Sequence, residues 1–222
     1  MGQHDWYRNT TWNKEIEAAF EARWNRSRSE CSKIQYLRIQ AGTLLDSSKK
    51  KDQLAGVALM ERLFAMFPAS DMQVVLGREQ LGEYYQRIGG KEQAMKLFAT
   101  VAEETKKKGT RSGTSGIADL KLAELLFQDG KKKSLEEAYR IISTFPYDEI
   151  SFNSDQFQFA ELAALICEKL KKFDEAKQYA KMALDLAEIK EPQFRYHKDV
   201  GLVKATNKQL KYLKALLKNI ES

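Results

Sequence analysis

The chain has 222 residues, 43% apolar and 31% charged, as a soluble, well-buried protein shows, and its two isolated cysteines and two histidines leave little for a disulfide framework, a metal site or a histidine-based triad. No apolar run reaches the length needed to cross a bilayer, and three prolines among abundant Ala, Leu, Glu, Lys and Gln favour helix over a sheet with many tight turns. The formal charge of +6 is concentrated: residues 195–222 carry a net +5, which leaves the rest of the chain almost neutral.

Residues 1–31 read as an N-terminal cap. The opening MGQHDWYRNTT has no signal-peptide stretch and carries Trp6 where a myristoylation signal wants Ser or Thr, so a cytoplasmic chain is expected. His4 lies in this terminus and His197 far from it. Asn13 is placed to cap a helix with Glu15 and Glu17 in its first turn and Ile16, Phe20 and Trp24 along one stripe. Trp6, Trp12 and Trp24 all fall here, where they are expected to cover the apolar face of the element that follows.

Four helix-turn-helix segments come next. AGTLLDSSKKKDQLAGVALMERLFAMFP sets Ala41, Gly42 and Leu45 against Met60, Phe64 and Phe67. LGEYYQRIGGKEQAMKLFATV sets Leu81, Gly82 and Tyr85 against Ala94, Phe98 and Val101, across a break at Gly89-Gly90. LAELLFQDGKKKSLEEAYRIISTFP sets Leu122, Ala123 and Leu126 against Ala138 and Ile142, and AALICEKLKKFDEAKQYAKMAL sets Ala163, Ala164 and Cys167 against Phe173, Ala176, Ala180 and Ala183. Met60, Ala94, Ala138 and Ala176 stand 34, 44 and 38 residues apart, the excess appearing as loop at 106–116 and 147–155. Val203, Leu210, Leu213, Leu217 and Ile220 then form the apolar stripe of a basic tail helix.

Residues 32–188, most clearly the second and fourth segments, resemble the tetratricopeptide repeat, a helical hairpin of about 34 residues. The N-terminal DWYRNTTWN and QYLRIQAG also look like the start of bacterial repeat proteins. The resemblance implies an all-α fold: a right-handed α-solenoid of about four hairpins in a single domain, with an aromatic cap at 1–31 and a basic capping helix at 189–222. It further implies that the first helix of each hairpin lines a concave surface. Matching positions select Tyr36, Ile39, Thr43 and Asp46, then Glu79, Glu83, Gln86 and Arg87, then Leu120, Glu124 and Phe127, then Glu161, Leu165, Glu168 and Lys169. Carboxylates outnumber cations there, so a basic protein partner is expected, with Tyr36 and Phe127 as anchors.

Three lysine runs form a second candidate surface: Lys49, Lys50 and Lys51, then Lys131, Lys132 and Lys133, then Lys171 and Lys172, each at the turn inside a hairpin. They read first as a solvated edge, with lysine complementing the end of the preceding helix. The GTRSGTSG loop lacks the lysine and the preceding strand of a phosphate-binding loop, and reads as a mobile, solvated linker. Adjacent carboxylates such as Glu103-Glu104 and Glu136-Glu137 do not face each other on a helix. The expectation is a non-catalytic interaction module without metal or cofactor. A toxin held by an immunity protein is one form of that partner, and nucleic acid on the lysine edge is a disfavoured alternative because aromatics are sparse among the lysines.

Overall fold

Several helices begin where the sequence supplies an acceptor for their first amides. Asn13 Oδ1 accepts from the Ile16 amide at 2.8 Å, Ser29 Oγ from Ser32 at 3.3 Å and Asp71 Oδ1 from Gln73 at 2.7 Å. In the computed structural model, which describes residues 5–218, the helices are α1 (Lys14–Arg26), α2 (Glu30–Leu45), α3 (Lys50–Met66), α4 (Met72–Arg87), α5 (Lys91–Lys108), α6 (Ala118–Asp129), α7 (Lys132–Thr144), α8 (Asn153–Lys169), α9 (Phe173–Glu188) and α10 (Asn207–Lys218). Short 3-10 turns cover Asp5–Tyr7 and Tyr147–Glu149, and no strand occurs among the described residues. His4 and Ile220 lie outside the described residues. No described helix is long and apolar enough to cross a membrane.

The chain forms two compact units, residues 1–118 and 119–222. Within the first, α2 pairs with α3, α4 pairs with α5, and α2 and α4 lie side by side. Within the second, α8 pairs with α9, α7 touches α8, and α10 packs on α9. The division follows the long loop between α5 and α6.

Small residues decide how closely the paired helices approach. A Cβ added at Gly82 would stand 2.8 Å from Phe98 Cε1, so α4 and α5 approach closely there, with Gly82 against the fully buried Phe98 ring. The first hairpin uses a different residue. A Cβ at Gly56 would lie 2.9 Å from both the Ala41 carbonyl oxygen and the Leu45 amide nitrogen, so α3 meets the backbone of α2 there. That contact comes one turn before Met60, which leaves room for Met60 to be a buried core side chain. Gly42, in turn, faces Gln80 on α4.

The N-terminal segment is tied down as a lid on α2 and α3. Phe20 and Trp24 are buried, Trp6 and Trp12 pack around Phe20 with ring centres 5.5 and 5.6 Å away, and the Trp24 indole donates to the Lys33 carbonyl at 3.0 Å. Burial of Phe20 alone stabilises the unit by about 2–3 kcal/mol. Polar groups taken inside are satisfied: Gln40 Oε1 accepts from the Asn9 backbone and side-chain amides while its own amide donates to the Asn9 carbonyl, and Asp52 accepts from the Trp12 amide at 2.8 Å. The three tryptophans therefore cover the first hairpin, as their clustering implies.

Candidate functional site

In the first unit, α2 and α4 bring Tyr36, Ile39, Asp46, Glu79, Glu83, Gln86 and Arg87 onto neighbouring helices. Their environments differ sharply. Tyr36 is half-buried between Tyr7, stacked at 4.5 Å, and Trp6 at 4.8 Å, so much of its ring serves the cap. Ile39 and Gln86 are half-buried, and Asp46, Glu83 and Arg87 are exposed. Arg87 donates to the Leu45 carbonyl at 2.8 Å and pairs with Asp46 at 3.2 Å, an exposed pair worth little by itself. Arg38 went unnoticed in the sequence. Its Nε donates to Gln73 Oε1 at 2.6 Å and its Nη1 to Gln80 Oε1 at 3.1 Å, and burial lowers the guanidinium pKa. Gln73 and Gln80 are seven residues apart, two turns on one stripe of α4, which is the one local signal that could have shown them to share a partner.

Glu79 does not line an open surface. It is 2% exposed, and its carboxylate accepts from the amide of Ser115 at 2.9 Å and from the Ser115 hydroxyl. The GTRSGTSG segment is thereby held against α4, in place of the mobile linker expected. The Ser115 amide and hydroxyl meet a carboxylate of the same unit. Lys106, Lys107 and Lys108, read as part of that loop, complete α5, which Gly109 ends in a left-handed turn at φ +64°.

In the second unit, α6 carries exposed Glu124 and half-buried Phe127, and α8 carries Glu161 and Glu168, both half-buried. Glu124 and Glu161 are close enough to repel: burial raises the Glu161 pKa, the Glu124 charge raises it further, and a hydrogen bond from Gln209 opposes the shift. Two residues of α10 engage α8 here. Gln209 donates to Glu161 at 2.9 Å and Tyr212 donates to Glu168, and the hydrogen bond to Glu168, aided by burial, pushes the phenol up to about 12. An open groove between α8 and α10 is lined by Glu161, Leu165, Lys208, Lys211 and Tyr212.

The lysine runs occupy different places in their helices from those expected. Lys50 and Lys51 open α3, Lys132 and Lys133 open α7, and Lys172 is the residue before α9. They sit at the positive ends of these helix dipoles, so dipole complementation does not account for them. Lys49, Lys50 and Lys51 are exposed, and so are Lys131, Lys132, Lys133 and Lys171. Lys131 pairs with Asp129 at 3.2 Å. Lys172 is the exception: it bonds Glu175 at 3.1 Å and lies 4.3 Å from the Tyr139 ring centre, while the Tyr139 hydroxyl donates to Glu175 at 2.8 Å. Buried Cys167 lies 4.0 Å from that carboxylate, and its thiol is pushed up to about 12 by burial first and by Glu175 second. Such a thiol stays protonated and packs as a small apolar group.

No group of three or more His, Cys, Asp or Glu among the described residues could hold a metal ion. No protein-family model, curated protein or solved structure matches the chain.

Proposed function

We propose that the chain is a tetratricopeptide-like repeat protein, a right-handed array of about four degenerate hairpins, and that it acts in the cytoplasm as a non-catalytic module binding basic protein segments on the acidic faces of its first helices. The observation that supports this reading most is within the second unit. There the Glu161–Glu168 face of α8 already receives an amphipathic, lysine-rich helix, α10, through Gln209 and Tyr212, with Lys208 and Lys211 in the same groove. A partner helix of that chemistry is the natural ligand for the exposed carboxylates Asp46 and Glu83 of the first unit and Glu124 of the second. Buried Glu79 is set aside from this surface.

The test is affinity capture from the native host, with the retained protein identified by mass spectrometry and then purified. Charge reversal by Glu83→Lys and Glu124→Lys should weaken its binding at least tenfold, and undiminished binding rejects the surface. Should the captured protein be lethal when produced alone, the module is an immunity protein.

A further inference from the structure

The segment joining α9 to α10 carries a surface feature that the lysine runs lack. Gln193 anchors its base: Oε1 accepts from the Asn153 amide at 3.1 Å and the side-chain amide donates to the Ser151 carbonyl. Gly201, at φ +80°, passes so close to that side chain that a Cβ there would collide with Gln193 Oε1. Beside this anchor Phe194 meets Phe152 edge to face at 5.9 Å, and each ring stays more than a third exposed. Tyr196 is 82% exposed, with the Arg195 guanidinium 5.4 Å from its ring centre, and exposed His197 and Lys198 follow directly.

Phe194 and Tyr196 thus flank Arg195, with Lys198 two residues beyond, on an anchored backbone, within the stretch of chain that holds nearly all the excess positive charge. Single exposed aromatics are ordinary on protein surfaces, but two rings interleaved with cations are suited to one ligand chemistry, planar bases joined by phosphates. A membrane surface fits less well, because Arg195 stands between the two rings and leaves no continuous apolar patch to enter the headgroup layer. We propose that Phe194–Lys198, backed by Phe152, is a stacking platform for single-stranded nucleic acid: Tyr196 and Phe194 stack on bases, and Arg195 and Lys198 meet the flanking phosphates. This binding is sequence-tolerant and independent of the acidic faces described above.

The test is fluorescence anisotropy of the full chain with a labelled single-stranded 20-mer of thymidine, at 50 and 200 mM salt. Binding at 50 mM should fall about sevenfold at 200 mM if the two cations each meet a phosphate. Tyr196→Ala, at a position too exposed to disturb folding, should weaken it about tenfold at unchanged melting temperature. Arg195→Gln should reduce the salt dependence, and a duplex of equal length should bind more weakly. The proposal is overturned by no binding at 50 mM, or by a Tyr196→Ala variant that binds like the parent. It is equally overturned if Lys131→Gln, Lys132→Gln and Lys133→Gln together abolish binding that Tyr196→Ala leaves intact. Loss of binding to phosphatidylserine vesicles in Tyr196→Ala, with oligonucleotide binding unaltered, overturns it in favour of a membrane.

Discussion

The Tyr212 hydroxyl donates to the Glu168 carboxylate, and Gln209, three residues earlier on the same helix, donates to Glu161. Helix α10 is therefore fastened to α8 by neutral donors, which leaves its lysines available to water and to ligands. Leu213 and Leu216 are buried on the same helix, which packs on α9.

This bond makes the docking of α10 sensitive to alkali. The folded Tyr212 phenol is pushed up to about 12, above its ordinary value of 10.0, so between those two pH values the folded chain keeps a proton that the unfolded chain has lost. The stabilisation is fully present below pH 10 and is lost as pH rises towards 12. Burial also raises Tyr85, Tyr147 and Tyr179, so tyrosinate absorbance across a pH titration should show several late-titrating tyrosines, and Tyr212→Phe should remove one of them. A profile unchanged by that substitution would show that the bond does not form.

Glu79 is expected to matter for the order of the 109–117 loop and not for capture of a partner. Glu79→Ala leaves the Ser115 amide without its carboxylate acceptor, a loss of about 1–3 kcal/mol, whereas Glu79→Gln keeps one acceptor oxygen and should cost less. Hydrogen exchange at the Ser115 amide should accelerate in both variants, more in the alanine form. Partner binding lost in Glu79→Gln at full thermal stability would return this residue to the binding surface.

Gly56 and Gly82 should respond differently to alanine. Each substitution gains about 1 kcal/mol in helix propensity and loses about 1–3 kcal/mol to overpacking. At Gly82 the obstacle is the Phe98 ring, which can tilt, so the net cost should be small. At Gly56 the obstacles are the Ala41 carbonyl and the Leu45 amide of α2, which cannot yield without moving the helix, so Gly56→Ala should be destabilising by up to about 2 kcal/mol. Thermal unfolding of the two variants checks the order, and equal effects would contradict the helix approach described.

Lysines at helix starts oppose the dipole. Lys50→Glu with Lys51→Glu should raise stability, by about 0.3–1 kcal/mol for each charge at low ionic strength, and the gain should shrink as salt is added. A fall in melting temperature would mean that these side chains have partners that the structure does not show.

The two cysteines should differ in reactivity. Cys31 is exposed, whereas Cys167 is buried with its thiol pushed up to about 12. A colorimetric thiol titration at pH 8 should find one reactive group in the folded protein and two in denaturant. Two rapidly reacting thiols without denaturant would show that the α8–α9 pair opens readily.

Much of this molecule depends on interactions within a few residues, and those are legible from the chain alone. Asn13 as a cap with Glu15 and Glu17 behind it, and three tryptophans gathered ahead of the first hairpin, follow from spacing and size, because a helix turn places residues three and four apart on one face. The stacking of helices decided everything that joins distant positions. It put Glu79 under Ser115, joined Arg38 to Gln73 and Gln80, set the close approach of the first hairpin at Gly56, and placed Tyr212 on Glu168. A helical stripe tells which residues face inward but not which neighbour they meet. The same carboxylate is a ligand for a partner or for its own chain according to which helix arrives beside it, and that is a property of the packed structure.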